Sequence, residues 1–305
     1  MEIPALDRSG RGAAEDGHGQ DPALQAARGP RRVTEARRPA PLEIDGRRLE
    51  AVWWGPAPEA APTVVLLHEG LGSVSLWRDF PERLAAATGL GVFAYSRFGY
   101  GQSDPAPLPW PLDYMHREAR DVLPRVLDAA GIRRCVLLGH SDGASIAAIN
   151  AGSRQDARVR GLVLVAPHFF VEEAGLAAIR ASRRAFEEGG LRERLARHHR
   201  DPDMAFRGWS DAWLNPGFPS VFDLQPDIAH IRVPVLAIQG EADAYGTMEQ
   251  VRLLESEAYC PVEILALPGA GHAPHQDAPE AVLAAARDFA GRLFGLHEPG
   301  AGAEE

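Results

Sequence analysis

Cysteine is scarce in this chain of 305 residues, which contains only Cys135 and Cys260. Two cysteines cannot form the framework of disulfide bonds that stabilises many small secreted domains. Cys135 lies in an apolar run, which predicts a buried and inert thiol. Hydrophobic residues make up 45% of the chain, so we expect a large core that needs no covalent cross-links.

Long apolar runs and excess positive charge are also lacking. No segment has the roughly 20 consecutive apolar residues of a membrane-spanning helix. Residues 1–7 contain neither a basic nor an apolar segment, so no secretory signal is predicted and we expect a cytoplasmic protein. The formal net charge of -10 disfavours nucleic acid as a partner, because the phosphates of nucleic acid are also negative.

Large apolar residues are rare at both ends of the chain. Residues 1–40 are rich in Gly, Ala, Arg, Asp and Pro. Such a segment cannot bury enough apolar surface to offset the entropy lost on ordering. We therefore predict a disordered tail over 1–40, and a second one over 297–305, where small and acidic residues follow the last predicted helix.

The most informative segment present is Gly139-His140-Ser141-Asp142-Gly143. An apolar run precedes it and small residues follow it, which predicts a buried strand, a sharp turn and a helix. The two glycines suit such a turn, because a Cβ at either position would clash. The serine would lie at the carboxyl end of the strand and at the positive end of the helix dipole. This G-x-S-x-G pattern is that of a nucleophile elbow.

Three further apolar runs are each followed by a polar loop. They are Val64–Leu67 before His68, Val235–Gln239 before Asp243, and Val262–Leu267 before His272. In open α/β sheets, sites form beyond the carboxyl ends of the strands, so these loops should meet the serine. The order Ser, Asp, His along the chain is that of the α/β hydrolases. On these residues the chain resembles the α/β-hydrolase superfamily over about 40–294.

The resemblance implies an α/β fold with a mostly parallel central sheet, flanking helices and a helical cap insertion. The first part of the core would span 41–166, the cap 167–230, and the second part of the core 231–296. The stretch assigned to the cap is too long for a simple crossover between two strands. Earlier in the chain, Asp45-Gly46 predicts a hairpin turn, and 114–130 predicts one helix that Pro124 would kink.

A serine hydroxyl needs a base to accept its proton and a third group to orient that base. His272 is the candidate base, since it follows a strand end, and His275 is the competitor. Asp243 is the candidate orienting acid, with Glu241 as the runner-up. In some superfamily members the acid follows the preceding strand. Here that position reads Ala166-Pro167-His168 and offers no carboxylate.

The resemblance also implies an oxyanion hole made of two backbone N–H groups. One belongs to Asp142, and the other to Gly70, with Leu71 as the alternative donor. Glu69 stands where the family usually has glycine. It could turn to the surface, orient another loop or accept a hydrogen bond from the substrate. Asp142 is similar to the aspartate that valacyclovir-hydrolase-like members link to amine recognition, but its place at a helix N-terminus favours a role with the helix dipole.

Substrate-binding residues are predicted in the cap and beside the oxyanion hole. Trp209 and Trp213 are four residues apart, so a helix would place them on one face. Together with Leu71 they could line an apolar pocket over Ser141, or the tryptophans could instead fix the cap to the core. Seven arginines between Arg180 and Arg200 could steer an acidic substrate, although a solvated helix face is favoured.

These residues predict a serine hydrolase of a small carboxylic ester, lactone or thioester, acting through an acyl-enzyme. One alternative is a carbon–carbon bond hydrolase of a vinylogous diketone from ring cleavage, and another is a non-catalytic ligand-binding protein. No cofactor is predicted. A zinc site formed by His272 and His275 would lack a third ligand nearby. The expected partner is a small-molecule substrate, with no nucleic acid and no membrane.

Overall fold

The computed structural model describes residues 37–296. Its strands are β1 (Arg38–Pro39), β2 (Leu42–Ile44), β3 (Arg47–Leu49), β4 (Ala51–Trp54), β5 (Thr63–Leu67), β6 (Gly91–Tyr95), β7 (Cys135–His140), β8 (Val159–Val165), β9 (Val235–Gly240) and β10 (Val262–Leu267). Eight of them form one sheet in the order β1-β4-β6-β5-β7-β8-β9-β10, while β2 and β3 pair separately.

From β6 to β10 the sheet is parallel, and β4 and β1 add an antiparallel edge. The central strands β5 and β7 are buried along their whole length. This burial explains why their sequences are continuous apolar runs rather than alternating ones. Parallel strands direct their carboxyl ends to one edge of the sheet, so the loops after β5, β7, β9 and β10 converge there, as the sequence predicted.

Helices cover both faces of the sheet. They are α1 (Phe80–Thr88), α2 (Tyr114–Arg117), α3 (Leu123–Ala129), α4 (Asp142–Ser153), α5 (Glu173–Glu188), α6 (Leu191–Leu195), α7 (Pro202–Trp213), α8 (Phe218–Val221), α9 (Gln225–Ile228), α10 (Met248–Glu257), α11 (Pro274–Asp277) and α12 (Pro279–Phe294), with a 3-10 helix at Val74–Trp77. One apolar cluster includes Leu84 of α1 and Phe289 of α12. A second includes Leu123 of α3 and Ile146 of α4.

The boundary predicted for the N-terminal tail is wrong by a few residues. Arg38 and Pro39 pair with Trp53 and Val52 of β4. The backbone groups of an edge strand accept a partner strand whatever its side chains are, so composition could not signal this pairing. The rest of the predicted tail over 1–40, and the tail over 297–305, lie outside the described residues.

The hairpin turn is confirmed, since Asp45 and Gly46 have φ of 52° and 72° between β2 and β3. The single helix predicted over 114–130 is wrong in detail. A π-helical turn at Glu118–Val122 separates α2 from α3. Pro124 follows this π-helical turn closely, and it has no N–H to donate to the turn before it.

The helices α5 to α9 lie between β8 and β9 in the chain, over the range for which the cap was predicted. Aromatic side chains of this segment, among them Phe206, Trp209 and Trp213, belong to the same apolar cluster as α3 and α4. The segment is thus packed on the core rather than held away from it. Between residues 37 and 296, no helix has the length and apolar character needed to cross a membrane.

Candidate active site

Ser141 occupies a sharp turn between β7 and α4, with φ 54° and ψ -118°. This left-handed conformation is rare for a residue with a side chain, and such strain is typical of functional turns. A Cβ on Gly139 would lie 2.2 Å from the oxygen of Gly143, and one on Gly143 would lie 1.9 Å from the oxygen of Leu67. Both glycines are therefore required by the close approach of α4 to the strands.

The three predicted catalytic side chains form one hydrogen-bonded chain. His272 Nε2 lies 3.0 Å from Ser141 Oγ, and His272 Nδ1 lies 2.8 Å from Asp243 Oδ2. A carboxylate only accepts hydrogen bonds, so the Nδ1–H donates to Asp243 and Nε2 is left to accept the serine proton. This is the arrangement that activates a serine hydroxyl.

The carboxylate of Asp243 is held by three further donors. Gln239 Nε2 donates to Oδ2 at 3.0 Å, and the backbone N–H groups of Tyr245 and Gly246 donate to Oδ1 at 2.8 and 3.3 Å. Burial opposes its ionisation, but the charge and hydrogen bond of His272 outweigh burial and lower the pKa of Asp243 to about 2. The runner-up, Glu241, is exposed and takes no part in this chain.

His275, the competing base, lies away from Ser141. It is 4% exposed, and its ring packs against Trp77, Phe80 and His140 at centroid distances of 5.1, 5.5 and 4.7 Å. Burial, assisted by His140, lowers the pKa of His275 to about 3. His275 is thus a neutral side chain of the core beneath the site.

Replacing His275 by Phe should leave kcat nearly unchanged and make the folded protein less sensitive to acid. The folded-state pKa of His275 lies below its unfolded value, so its stabilising contribution is present above pH 6.5 and is lost as the pH falls. Between pH 6.5 and 5 that loss is about 2 kcal/mol. Urea unfolding at both pH values measures it, with exposed His230→Gln as control. An inactive His275→Phe enzyme would instead make His275 the base.

The predicted site residues line one cavity of about 120 Å³, apart from Asp243, which lies behind His272. The cavity wall includes Gly70, Leu71, Ser141, Asp142, Trp209, Trp213 and His272. The wall also includes Glu69, His168, Ile179 and Tyr245. Among the described residues that line it, none is Lys or Arg.

Gly70 and Asp142, the predicted oxyanion donors, occupy the same wall. Asp142 is the first residue of α4, and the first N–H groups of a helix have no intrahelical acceptor. The Trp209 indole lies directly against Gly70, since a Cβ on Gly70 would be 2.1 Å from Trp209 Nε1. Glycine is needed at 70 for this contact.

Replacing Gly70 by Ala should destabilise the fold by about 2 kcal/mol and reduce kcat/KM by about 100-fold, because the new methyl displaces either the loop or Trp209. A double-mutant cycle with Trp209→Ala measures the collision through urea unfolding. The Gly70→Ala change should cost less stability once the indole is gone. Equal costs in both backgrounds would show that Trp209 does not constrain Gly70.

The Asp142 carboxylate is buried and engaged by side chains from several elements. The Tyr114 hydroxyl and Trp213 Nε1 donate to it, the latter at 3.2 Å, and an Arg97 guanidinium nitrogen lies 3.8 Å away. Burial raises the pKa of Asp142, although Arg97 opposes the rise. Asp142 thus ties Trp213 of α7 to the start of α4, a contact that neither sequence interpretation of Asp142 included.

Trp213 both lines the cavity and packs within the segment between β8 and β9. Its ring lies 4.7 Å from Phe218, 5.1 Å from Phe222 and 5.5 Å from His168. The two sequence interpretations of the tryptophans, as pocket wall and as packing residues, therefore describe two faces of the same side chain.

Two residues of the site were missed by sequence reasoning. His168 was considered only as a position that lacks a carboxylate. It lies in the cavity wall as a neutral imidazole, because burial and the neighbouring His272 lower its pKa to about 3. The ring of Tyr245 lies 4.6 Å from that of His272, and its hydroxyl is 2.9 Å from Ser182 Oγ of α5. The sequence did offer a signal for His168, because this histidine follows the end of a predicted strand, where sites form in α/β sheets.

The arginines of 180–200 are engaged mainly at the surface. Arg180, Arg183, Arg192 and Arg200 form ion pairs with carboxylates, and none of the seven lines the cavity. The interpretation as a solvated face is therefore favoured over steering of an acidic substrate. Between residues 37 and 296, no group of three or more His, Cys, Asp or Glu side chains is arranged to hold a metal ion.

Comparison with known structures gives the same fold. The chain resembles the enol-lactonase from Burkholderia xenovorans LB400, with TM-score 0.65, 20% identity and coverage of 82% of this chain and 99% of that one. It also resembles the 2-hydroxy-6-oxo-6-phenylhexa-2,4-dienoate hydrolase from Rhodococcus sp. strain RHA1, with TM-score 0.67, 17% identity and coverage of 85% of this chain and 99% of that one. A third similar structure is the proline iminopeptidase of Mycobacterium smegmatis, with TM-score 0.63, 19% identity and coverage of 86% of this chain and 100% of that one.

At these identities the structures establish the fold, and the family rests on a match along the sequence. No curated protein sequence matches the chain significantly. The model of the alpha/beta hydrolase family matches residues 64–286, well over half of the chain, and this range holds the elbow, the acid and the histidine. The chain therefore belongs to the α/β-hydrolase family, and it is a hydrolase.

Proposed function

We propose that the protein is a serine hydrolase of a small, uncharged carboxylic ester or lactone. The single observation that carries this proposal is the chain of hydrogen bonds from Asp243 through His272 to Ser141, ending at a small cavity. A hydroxyl bonded to a partly buried imidazole that a carboxylate orients is an acyl-transfer nucleophile.

The residues act in a fixed order. His272 Nε2 accepts the proton of Ser141 as Oγ attacks the carbonyl carbon, and the resulting oxyanion lies against the N–H groups of Gly70 and Asp142. Asp243 stabilises the imidazolium so formed. His272 then gives the proton to the departing alkoxide, which leaves an acyl-enzyme on Ser141. His272 next activates a water molecule that releases the acid and restores the serine.

The segment 167–230 acts as a cap that selects the acyl group. Its helices α5 and α7 contribute Ile179, Trp209 and Trp213 to the cavity wall. Their bulk leaves room for a short acyl chain and excludes a long one. Trp213, through its bond to Asp142, couples this choice to the residue that supplies an oxyanion donor.

The charges around the cavity separate this function from carbon–carbon bond hydrolysis. A dienoate substrate, such as that in the name of the Rhodococcus hydrolase, carries a carboxylate that requires a cationic partner when buried. Among its described residues the wall here contains neither Lys nor Arg, and its two acidic residues, Glu69 and Asp142, cannot pair with a substrate carboxylate. An acyl-CoA thioester is also disfavoured. The arginines of 180–200 that could bind its phosphates lie outside the cavity, and four of them already pair with carboxylates.

A substrate panel tests the proposal. It contains the p-nitrophenyl esters of acetate, butyrate and octanoate, an unsubstituted γ-lactone, and a vinylogous diketone that carries a carboxylate. We expect kcat/KM for the acetate or butyrate ester to exceed that for octanoate by about tenfold or more, because the pocket limits chain length. The diketone should not be turned over. Preferred turnover of the diketone would overturn the ester assignment, and no turnover of any substrate would favour a ligand-binding role.

A further inference from the structure

Glu69, which replaces the glycine usual in this family, points inward rather than to the surface. Its side chain is 26% exposed at the cavity wall, and Oε2 lies 3.4 Å from His140 Nδ1. The carboxylate also lies against its own turn, since a Cβ on Gly72 would be 2.4 Å from Oε2. The loop after β5 is thus joined by a side chain to β7.

His140 precedes the nucleophile and contacts the loop of the base. Its side chain is 4% exposed, and Nε2 lies 2.6 Å from the backbone oxygen of His272. A carbonyl oxygen can only accept a hydrogen bond, so Nε2 must carry a proton. The rings of His140 and His272 are 5.2 Å apart. His140 therefore holds the backbone of the residue that must reach Ser141.

The contact between His140 Nδ1 and Glu69 requires a second proton. Either His140 is an imidazolium beside a carboxylate, or a neutral imidazole accepts from a carboxylic acid. Burial opposes charge on both groups, but their mutual hydrogen bond and attraction raise the pKa of His140 and lower that of Glu69 far below its usual range. Asp243 adds further attraction, while the facing rings of His275 and Trp77 are neutral. The ion pair is the favoured form.

We propose that Glu69 is a positioning residue that holds His140 as an imidazolium, through which it fixes the backbone of His272 and the distance from the base to Ser141. The proposal rests on the proposed role of His272 as the base. It explains a carboxylate so close to the predicted oxyanion donors, because the charge of Glu69 is balanced by His140 and is directed away from the reacting carbonyl.

The charge state is tested without any substrate. Long-range ¹H–¹⁵N spectra of the histidine side chains at neutral pH should show both nitrogens of His140 protonated in the wild-type protein. In Glu69→Gln, only Nε2 should remain protonated. His140→Gln identifies the resonances by their loss. A neutral His140 in the wild-type protein would overturn the proposal, even if Glu69→Gln failed to fold.

The positioning role is tested by kinetics. In Glu69→Leu, whose side chain cannot hydrogen-bond to His140, we expect kcat to fall about tenfold with KM and acyl-chain preference unchanged, since the base is displaced but the pocket is not. The rate at which a fluorophosphonate labels Ser141 should fall by the same factor. Glu263→Leu, at the exposed ion pair with Arg292, is the matched control and should behave as wild type.

Two kinetic outcomes would overturn the proposal. Unchanged kcat and labelling in Glu69→Leu would show that the pair does not position His272. A changed KM or acyl preference at constant kcat would make Glu69 a substrate-binding residue instead. If wild-type Ser141 is not labelled at all, the serine-hydrolase function fails, while the spectra still decide whether the Glu69–His140 ion pair exists.

Discussion

Ser141→Ala should lower kcat by about five orders of magnitude, because the variant has no oxygen with which to form the acyl-enzyme. The hydroxyl lies 3.0 Å from His272 Nε2 and is the nucleophile of the proposed reaction. Alanine and serine both carry a Cβ, so the two residues are similarly strained at the φ of 54° that position 141 adopts. The melting temperature should therefore change by no more than a few degrees. Hydrolysis of p-nitrophenyl butyrate and thermal unfolding measure the two effects.

The matched control for this prediction is Ser153→Ala, at the other end of α4. Its hydroxyl donates to the carbonyl of Ile149 and accepts from Arg120 Nε, away from the cavity, so the kcat of this variant should equal that of wild type. Retention of activity within tenfold in Ser141→Ala would show that another group attacks the substrate.

Asp243→Asn should lower kcat by about 10⁴-fold while the fold is preserved. The carboxylate accepts from His272 Nδ1 and from three other donors. An amide presents an N–H₂ group in place of one acceptor, which favours the tautomer of His272 that carries its proton on Nε2. That tautomer cannot accept the proton of Ser141. Since the pKa of Asp243 is about 2, the wild-type carboxylate is ionised throughout the neutral range.

Glu241→Gln is the matched control for the acid, because Glu241 lies two residues earlier on the same loop and is exposed. Its kcat should remain close to that of wild type. A larger loss in Glu241→Gln than in Asp243→Asn would move the orienting role to Glu241.

The sequence predicted the fold and the convergence of three candidate site residues because both depend on local pattern. Ser141, Asp243 and His272 each follow an apolar run that becomes a parallel strand. The carboxyl ends of parallel strands meet at one edge, so three separate segments could be joined without knowing any side-chain contact. The flanking glycines at 139 and 143 marked the turn in the same local way.

The remaining features depend on contacts between residues far apart in the chain. Whether Glu69 faces solvent or His140 is decided by the packing of two loops, and no local pattern contains that information. The contact of Asp142 with Trp213 similarly requires the docking of α7 on α4. The pairing of Arg38 and Pro39 depends on an available edge at β4, because backbone hydrogen bonds carry no side-chain signature.

Covalent labelling with a fluorophosphonate, located by mass spectrometry, tests the central claim most directly. The reagent forms a bond to an activated serine oxygen with loss of fluoride, whatever the natural substrate is. We expect one equivalent on the peptide that contains Ser141, no labelling in Ser141→Ala, and labelling at least about 1,000-fold slower in His272→Ala. Absence of labelling in the folded wild-type protein, or labelling at another residue, would contradict the assignment of Ser141 as the nucleophile.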